Sequence, residues 1–288
     1  MILEKPRLVT VGLASDAGCH MVLVNLHETL MEIAGRVDIV HSYLLTDEKT
    51  IPNRAEIGLV EGGVRTVHDE ELAREARSRC QTVVAFGSCA AFGGVLGLAN
   101  TAGLAELQRE VYGVPPTVGV PAALPTVRPV SQVIDVDYVI PGCPPEGSET
   151  VALLTALVKG EEPQLPVKNV CYECKKQQRR TYTSELRRLG QPLLDPRQCL
   201  LEQGYLCMGP ATRSGCKARC LEMDVPCEGC RGPSDRVEDP GLAMIDALST
   251  VAYPLVENYG LTQYSAALHR FTLARLKTNR VAQGGGRR

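Results

Sequence analysis

The stretch Arg7–Cys19, RLVTVGLASDAGC, decides the fold class. Its first seven residues form a short β-rich run, which is typical of a strand. The turn-prone residues after it lead into apolar residues spaced three and four apart, which is the period of an amphipathic helix: Leu23, Leu26, Leu30 and Ile33. The segment therefore predicts a strand, a turn and a helix, the opening unit of an α/β fold.

The same alternation continues along the first half of the chain. Further strands are predicted over Val37–Val40, Glu56–Val60, Thr82–Phe86 and Val133–Ile140. Helices are predicted over Asp69–Arg79 and Thr150–Val158, and the Pro- and Gly-rich stretch 96–130 is expected to cross the surface. Strands that alternate with helices predict a parallel, doubly wound sheet, in which ligands bind beyond the carboxyl ends of the strands.

Composition limits the function classes. The chain has 288 residues, of which 44% are hydrophobic and 22% charged, so a packed core is feasible and a disordered chain is excluded. A net charge of −2 without a charge block argues against nucleic acid or an anionic membrane as the main partner. No apolar run approaches the ~20 residues of a membrane span. The N-terminus resembles neither a secretory nor a twin-arginine leader, so we expect a cytoplasmic protein.

The twelve cysteines divide the chain into two parts. Four are widely spaced within the first 165 residues, and eight fall between Cys171 and Cys230. A linker at Lys159–Pro163 separates the parts, so we predict an α/β domain over 1–165 and a mostly irregular or helical cysteine domain over 166–288. Within the latter, Gly241–Leu248 and Thr262–Leu276 are expected to be helical. In a reducing compartment this many cysteines favour metal binding over disulfides.

Three predicted strands of the first domain end next to metal-ligating residues. Asp16 and Cys19 follow the first strand, Cys89 follows Thr82–Phe86, and Cys143 follows the last strand. Because the carboxyl ends of parallel strands share one edge, these four side chains can converge, and they suit a single four-iron cluster. Cys80 precedes a strand and, at about 3.3 Å per residue, lies roughly 25 Å or more from Cys89.

Each candidate in the first domain also has a structural interpretation. Cys80 is expected to be a buried apolar thiol at the opposite sheet edge. Asp16 could simply form the turn or cap the helix before Cys19. Glu61, in a turn at the same edge, is a candidate proton carrier, cluster-edge residue or hydrogen-bond anchor, or only a turn residue. His20 is more typical of a core or surface residue than of a ligand.

The eight later cysteines suffice for two four-iron clusters. Two Cys-x-x-Cys pairs are present, Cys171–Cys174 and Cys227–Cys230, with glycines and prolines around them. Such pairs also hold structural zinc in sites built from four cysteines, so spacing alone leaves zinc and iron–sulfur equally open. Removing Cys80 from the twelve cysteines and adding Asp16 gives three sets of four ligands.

Several motifs together carry a resemblance to a known family. They are Asp16-Ala-Gly-Cys19, Val60-Glu61-Gly-Gly63, Gly87-Ser-Cys89-Ala-Ala-Phe-Gly-Gly94, Pro141-Gly-Cys143-Pro-Pro145, Gly204-Tyr-Leu-Cys207-Met-Gly-Pro210-Ala-Thr212 and Pro226-Cys-Glu-Gly-Cys230-Arg-Gly-Pro233. Over about residues 7–276 the chain resembles the small subunit of [NiFe] hydrogenases. The closest likeness is to the cytosolic methyl-viologen-reducing and F420-reducing branch, group 3.

The resemblance implies a flavodoxin-like first domain and three [4Fe–4S] clusters. The implied proximal ligands are Cys19, Cys89 and Cys143, with Asp16 as the fourth ligand in the manner of the F420-reducing relatives. The implied distal ligands are Cys171, Cys174, Cys199 and Cys207. The implied medial ligands are Cys216, Cys220, Cys227 and Cys230. The chain departs from most of the family in having Asp16 where cysteine is usual, and Cys171 stands where the membrane-bound branch often has histidine.

The resemblance also implies the function. The chain would be an electron-transfer subunit that relays electrons between the nickel–iron site of a large subunit and a further redox subunit, a flavoprotein or an iron–sulfur protein. No catalytic residue is expected in the chain itself. One alternative is an electron-wire subunit of a nickel-free, complex-I-like oxidoreductase, and another is a zinc-stabilised scaffold without a redox role.

Overall fold

The strands of this computed structural model lie in the first half of the chain, apart from isolated bridges. They are β1 (Arg7–Gly12), β2 (Asp38–Ser42), β3 (Ala55–Glu61), β4 (Val64–Thr66), β5 (Cys80–Phe86), β6 (Ala123–Arg128) and β7 (Tyr138–Ile140). The structure describes residues 5–114, 118–183, 186–187, 190–251 and 265–276. Five strands form one parallel sheet in the order β2-β1-β3-β5-β7, and β4 pairs with β6 in a small antiparallel ribbon. This is the flavodoxin-like order, and it confirms the predicted α/β fold.

Helices cover both faces of the parallel sheet. They are α1 (Gly18–Val24), α2 (Glu28–Ala34), α3 (Val67–Arg79), α4 (Ser88–Phe92), α5 (Leu104–Tyr112) and α6 (Gly147–Lys159). Alternate residues of β5 point to opposite faces, so Val83 packs with α3 and α4, whereas Val84 packs with α1, α2 and α6. A capping box between Thr66 and Asp69 begins α3.

Three predicted elements of the first half differ from the structure. The helix expected over Leu23–Ile33 is two short helices, because His27 takes a positive φ of 50° between them. The strand expected over Val133–Ile140 is only β7, because a 3₁₀ segment over Val130–Gln132 and a turn at Val133 precede it. The stretch 96–130 contains α5 and β6 rather than only a surface loop.

The region after Lys159 has little regular structure, as expected. Its α-helices in the described residues are α7 (Arg219–Glu222), α8 (Pro240–Val251) and α9 (Ser265–Leu268). The helix expected over 262–276 is interrupted after Leu268, where a turn precedes the 3₁₀ segment Leu273–Arg275; residues 262–264 lie outside the described residues. This segment packs back on the first region, where Gln132 donates to the carbonyl oxygen of Ala274 at 3.1 Å.

Within the part of the chain that the structure describes, no single helix is long and apolar enough to cross a membrane. One bent pair, Ser88–Thr101 with Leu104–Tyr112, meets those criteria of length and composition.

Candidate metal centres

Glu61 organises the loop that carries Cys19. Its carboxylate is fully buried at the end of β3 and accepts hydrogen bonds from the backbone N–H of Cys19 at 3.3 Å and of His20 at 2.9 Å. It also contacts Nδ1 of His20. The first N–H groups of a helix have no partner within the helix, so Glu61 caps α1 from a neighbouring strand. The structure therefore makes Glu61 a hydrogen-bond anchor, and the expected proton-carrier role stays a prediction.

The loops after β1, β5 and β7 meet at one sheet edge. Gly87, which precedes Ser88 and Cys89, has a φ of +90°, and a Cβ atom added to it would collide with Sγ of Cys19. The backbone N–H of Ser88 donates to the carbonyl oxygen of Gly142, the residue before Cys143, at 2.8 Å. The structure thus brings the three cysteines to the carboxyl edge of the sheet, where the strand-end argument predicts them.

Negative groups surround these three thiols. Burial raises the pKa of Cys19, and Glu61, Cys89, Cys143 and Asp16 all raise it further. Burial raises the pKa of Cys89 to about 12, with Cys143 acting in the same direction. Burial and then Asp16 raise the pKa of Cys143. Because these groups disfavour one another's charged forms, the site needs bound positive charge to hold them as anions.

Asp16 forms the turn before Cys19, and its role as a cluster ligand stays a prediction. Its Oδ1 accepts the N–H of Gly18 at 3.0 Å, which is the turn-forming role. The charge of the same carboxylate raises the pKa values of Cys19, Cys89 and Cys143. A carboxylate has two oxygens, so the turn leaves one oxygen for a further partner.

A second group of cysteines lines a cavity of about 610 Å³. Its members are Cys171, Cys174, Cys199 and Cys207. A Cβ atom added to Gly209 would lie 3.2 Å from Sγ of Cys171 and 3.6 Å from Sγ of Cys207, so these two thiols flank one point. Burial raises the pKa of both Cys171 and Cys207 to about 12.

A third group lines a separate cavity of about 550 Å³. Its members are Cys216, Cys220, Cys227 and Cys230. Cys143 of the first group lines the same cavity, so the first and third groups are neighbours. Cys227 also joins the two later groups, because its backbone N–H donates to Sγ of Cys207 at 3.4 Å.

The donor sets fit iron–sulfur clusters. Clusters of four irons are held by four thiolates, and carboxylate is a harder substitute for one of them. A structural zinc ion needs its four ligands within about 2.3 Å of one point. Among the described residues, no three His, Cys, Asp or Glu side chains gather in a way that could hold a single metal ion. Four thiols spread around a cavity of several hundred cubic ångströms suit the larger group.

Cys80 and His20 lie outside these groups. Cys80 begins β5, so it is at the amino edge of the sheet, where it is buried against Gly58. Burial raises its pKa to about 11. His20 is fully buried between Glu61 and the rings of Tyr43 and Phe86, as expected for a core histidine.

Comparisons with known proteins show the family to which this chain belongs. A family model described as NADH ubiquinone oxidoreductase, 20 Kd subunit, matches residues 17–157. One subunit of the F420-non-reducing hydrogenase vhu of Methanocaldococcus jannaschii is 38% identical over 98% of this chain and 100% of its own length. The chain belongs to the family of small subunits of group 3 [NiFe] hydrogenases. It is thus an oxidoreductase subunit in hydrogenase electron transfer.

Two further likenesses bear on the metal centres. The iron-sulfur subunit of the F420-non-reducing hydrogenase of Archaeoglobus profundus is 32% identical over 81% of this chain and 84% of its own length. A chain of an NAD+-reducing [NiFe]-hydrogenase, solved in the H2-reduced state, is 34% identical with a TM-score of 0.54. The aligned region covers 57% of this chain and 96% of the solved hydrogenase chain. The Archaeoglobus profundus relative is thus described as an iron–sulfur subunit, and the solved chain belongs to a hydrogenase.

Sequence reasoning missed three buried polar residues beside the first and third groups. Ser88 is 1% exposed, Arg231 is 1% exposed, and Glu149 is also buried. Glu149 lies on α6, where a glutamate is ordinarily a surface residue. Arg231 was the one hint in the sequence. It is a charged residue inside the motif Cys-Glu-Gly-Cys-Arg-Gly-Pro, and a metal site does not need an arginine there.

Proposed function

We propose that this chain is the electron-relay small subunit of a [NiFe] hydrogenase complex and that it holds three [4Fe–4S] clusters. Asp16, Cys19, Cys89 and Cys143 would hold the proximal cluster. Cys216, Cys220, Cys227 and Cys230 would hold the medial cluster. Cys171, Cys174, Cys199 and Cys207 would hold the distal cluster. Each cluster, when bound, supplies a site that accepts and releases one electron.

The observation that carries this proposal is the order in which the three groups adjoin one another. Cys143 of the first group shares a cavity with the third group, and Cys227 of the third group bonds to Cys207 of the second. The groups therefore adjoin in the sequence proximal, medial, distal. A chain of adjoining sites suits stepwise electron transfer across the subunit.

The partners and the compartment belong to the same proposal. The nickel–iron site would lie in a separate large subunit that faces the proximal group. Electrons would leave the distal group to a further redox subunit, either a flavoprotein or an iron–sulfur protein. The complex would be cytoplasmic, in keeping with the cytosolic branch that the motifs resemble.

Metal analysis of the native complex tests the proposal. The complex is purified anaerobically, and iron and nickel are measured per copy of this chain. We expect about one nickel and at least about thirteen irons, four for each of three clusters and one for the nickel–iron site. Iron near twelve without nickel would favour the nickel-free alternative, which the family match over residues 17–157 keeps open. A colourless protein containing zinc would reject the iron–sulfur proposal.

A further inference from the structure

The tripeptide Cys230–Gly232 of the cysteine-rich region inserts against the first region. The carbonyl oxygen of Cys230 accepts a hydrogen bond from Oγ of Ser88. Gly232 has a φ of +64°, and a Cβ atom added to it would collide with the ring of Phe92 on α4. Only glycine allows this backbone to lie so close to the ring. The segment that ends the third cysteine group is therefore seated on the helix that carries Cys89.

Ser88 joins three loops through one hydroxyl group. Its Oγ accepts the backbone N–H of Gly142 at 3.0 Å while it donates to Cys230. Its own N–H donates to the carbonyl oxygen of Gly142. A hydroxyl can accept and donate at the same time, which an apolar side chain of the same size cannot do. Ser88 thus ties together the loops of Cys89, Cys143 and Cys230.

Arg231, the residue after Cys230, makes a second set of hydrogen bonds where the same two regions meet. Its Nε donates to the carbonyl oxygen of Ser214 at 2.8 Å, and its Nη1 donates to that of Pro141 at 3.0 Å. Its Nη2 forms an ion pair with Glu149 at 2.6 Å. The planar guanidinium directs several donors at once, and a buried charge persists only when it is paired and hydrogen-bonded.

These contacts lie between the proposed proximal and medial ligands. Arg231 follows Cys230 directly and bonds to Ser214, two residues before Cys216, and to Pro141, two residues before Cys143. Ser88 and Arg231 are both nearly inaccessible to solvent, so their bonds do not compete with water.

We infer that Ser88 and Arg231 are positioning residues that fix the distance and orientation between the proximal and medial groups. The inference rests on the proposed function, because it requires that both groups hold clusters. A buried, hydrogen-bonded junction at this point would hold the two groups at one separation and in one orientation. Neither residue is a ligand in the proposed sets, so replacing one need not remove iron.

The test replaces Ser88 in the intact complex with two side chains of equal shape. Ser88→Thr keeps the hydroxyl, whereas Ser88→Val replaces it with a methyl group. Any effect of the added bulk is common to both variants, so their difference reports the hydroxyl. Ser78→Val is the surface control, because Oγ of this exposed serine donates to the carbonyl oxygen of Glu75 within the same helix, α3.

Two measurements separate positioning from folding. Iron per copy of the chain reports cluster occupancy. Electron paramagnetic resonance of the fully reduced complex reports the magnetic interaction between neighbouring clusters, which depends on their separation and orientation. We expect wild-type iron in all three variants. The interaction should match wild type in Ser88→Thr and Ser78→Val and should be clearly altered in Ser88→Val.

Arg231→Lys provides a second test that does not depend on Ser88. Lysine keeps the positive charge for Glu149 but cannot reproduce the fixed fork toward both carbonyl oxygens. We expect retained iron with an altered magnetic interaction. An interaction identical to wild type in both Ser88→Val and Arg231→Lys would overturn the inference and leave the relay proposal standing. A wild-type complex without cluster signals would instead reject the relay proposal and the inference together.

Discussion

The sheet region and the cysteine-rich region are stabilised in different ways. In the sheet region, the core consists of apolar side chains from strands and helices, such as Val9, Val60 and Val83, none of which is exposed. Of the proposed ligands of this region, Cys19 and Cys89 lie at the starts of α1 and α4, and Asp16 and Cys143 lie on loops at the same sheet edge. The scaffold therefore has a core of its own, independent of what the loops bind.

In the cysteine-rich region, the cysteines are part of the core. Cys207 and Cys227 are buried in the same cluster as Leu200, Met208 and Met244, and further cysteines pack against it. Between residues 160 and 239 the described residues contain only one α-helix, the four-residue α7. This difference indicates that the sheet region would keep its fold without bound metal, whereas the cysteine-rich region would need metal to stay folded.

Removal of iron should give the largest effect and should affect the two regions unequally. We expect peptides from Cys171 to Cys230 to lose nearly all protection in hydrogen–deuterium exchange, while peptides from β3 and β5 stay protected. Bound metal supplies about 10–16 kcal/mol of folding free energy in small zinc domains, and we expect a dependence of that order in the cysteine-rich region. The exchange is measured on the complex before and after anaerobic chelation.

An equal loss of protection in both regions would contradict this comparison, because the sheet core would then depend on metal too. Restoring iron and sulfide to the treated complex is the control. Protection should return to the cysteine-rich peptides if chelation removed the clusters without damaging the chain.

The same contrast explains what could be predicted from sequence. Strands β1, β3 and β5 are short β-rich runs, so their residue pattern indicated the sheet, and the strand-end rule then placed Cys19, Cys89 and Cys143 at one edge. Loops without periodicity carry no such signal. The division of the eight later cysteines into two groups therefore depended on family resemblance rather than on spacing.

Polar contacts between residues far apart in the chain also could not be predicted from the sequence. Glu61 caps α1 from another strand, and Arg231 pairs with Glu149 across 82 positions. Nothing in local composition distinguishes these carboxylates from surface residues. Short helices such as α1 and α2 were merged for a similar reason, because the apolar period continues across the positive φ of His27.

Replacing Asp16 with cysteine should make the first site resemble the two later ones. We expect unchanged iron, because a thiolate also binds iron, and a changed potential for one cluster only. The shift should be on the order of 100 mV, a fraction of the ~1 V range over which ligand charge and surroundings tune such clusters. A redox titration followed by electron paramagnetic resonance measures it. Asp47→Cys adds a thiol at an exposed position as the matched control.

A titration and spectrum identical to wild type in the Asp16→Cys variant would show that Asp16 is not a ligand. In that case its turn-forming bond to Gly18 would be its whole role, and the first group would supply only three ligands.

Replacing Cys80 with alanine should have the smallest effect, and it completes the comparison within the sheet region. Cys80 is buried at the amino edge against Gly58, so we expect a loss of about 1 kcal/mol in unfolding free energy, the scale for one small buried group, with unchanged iron. Cys89→Ala, nine positions further along, should instead lose about four irons. Urea unfolding and iron analysis distinguish the pair. Loss of iron from Cys80→Ala would mean that the sheet edge at which a cysteine lies does not decide its role, and the strand-end argument would fail with it.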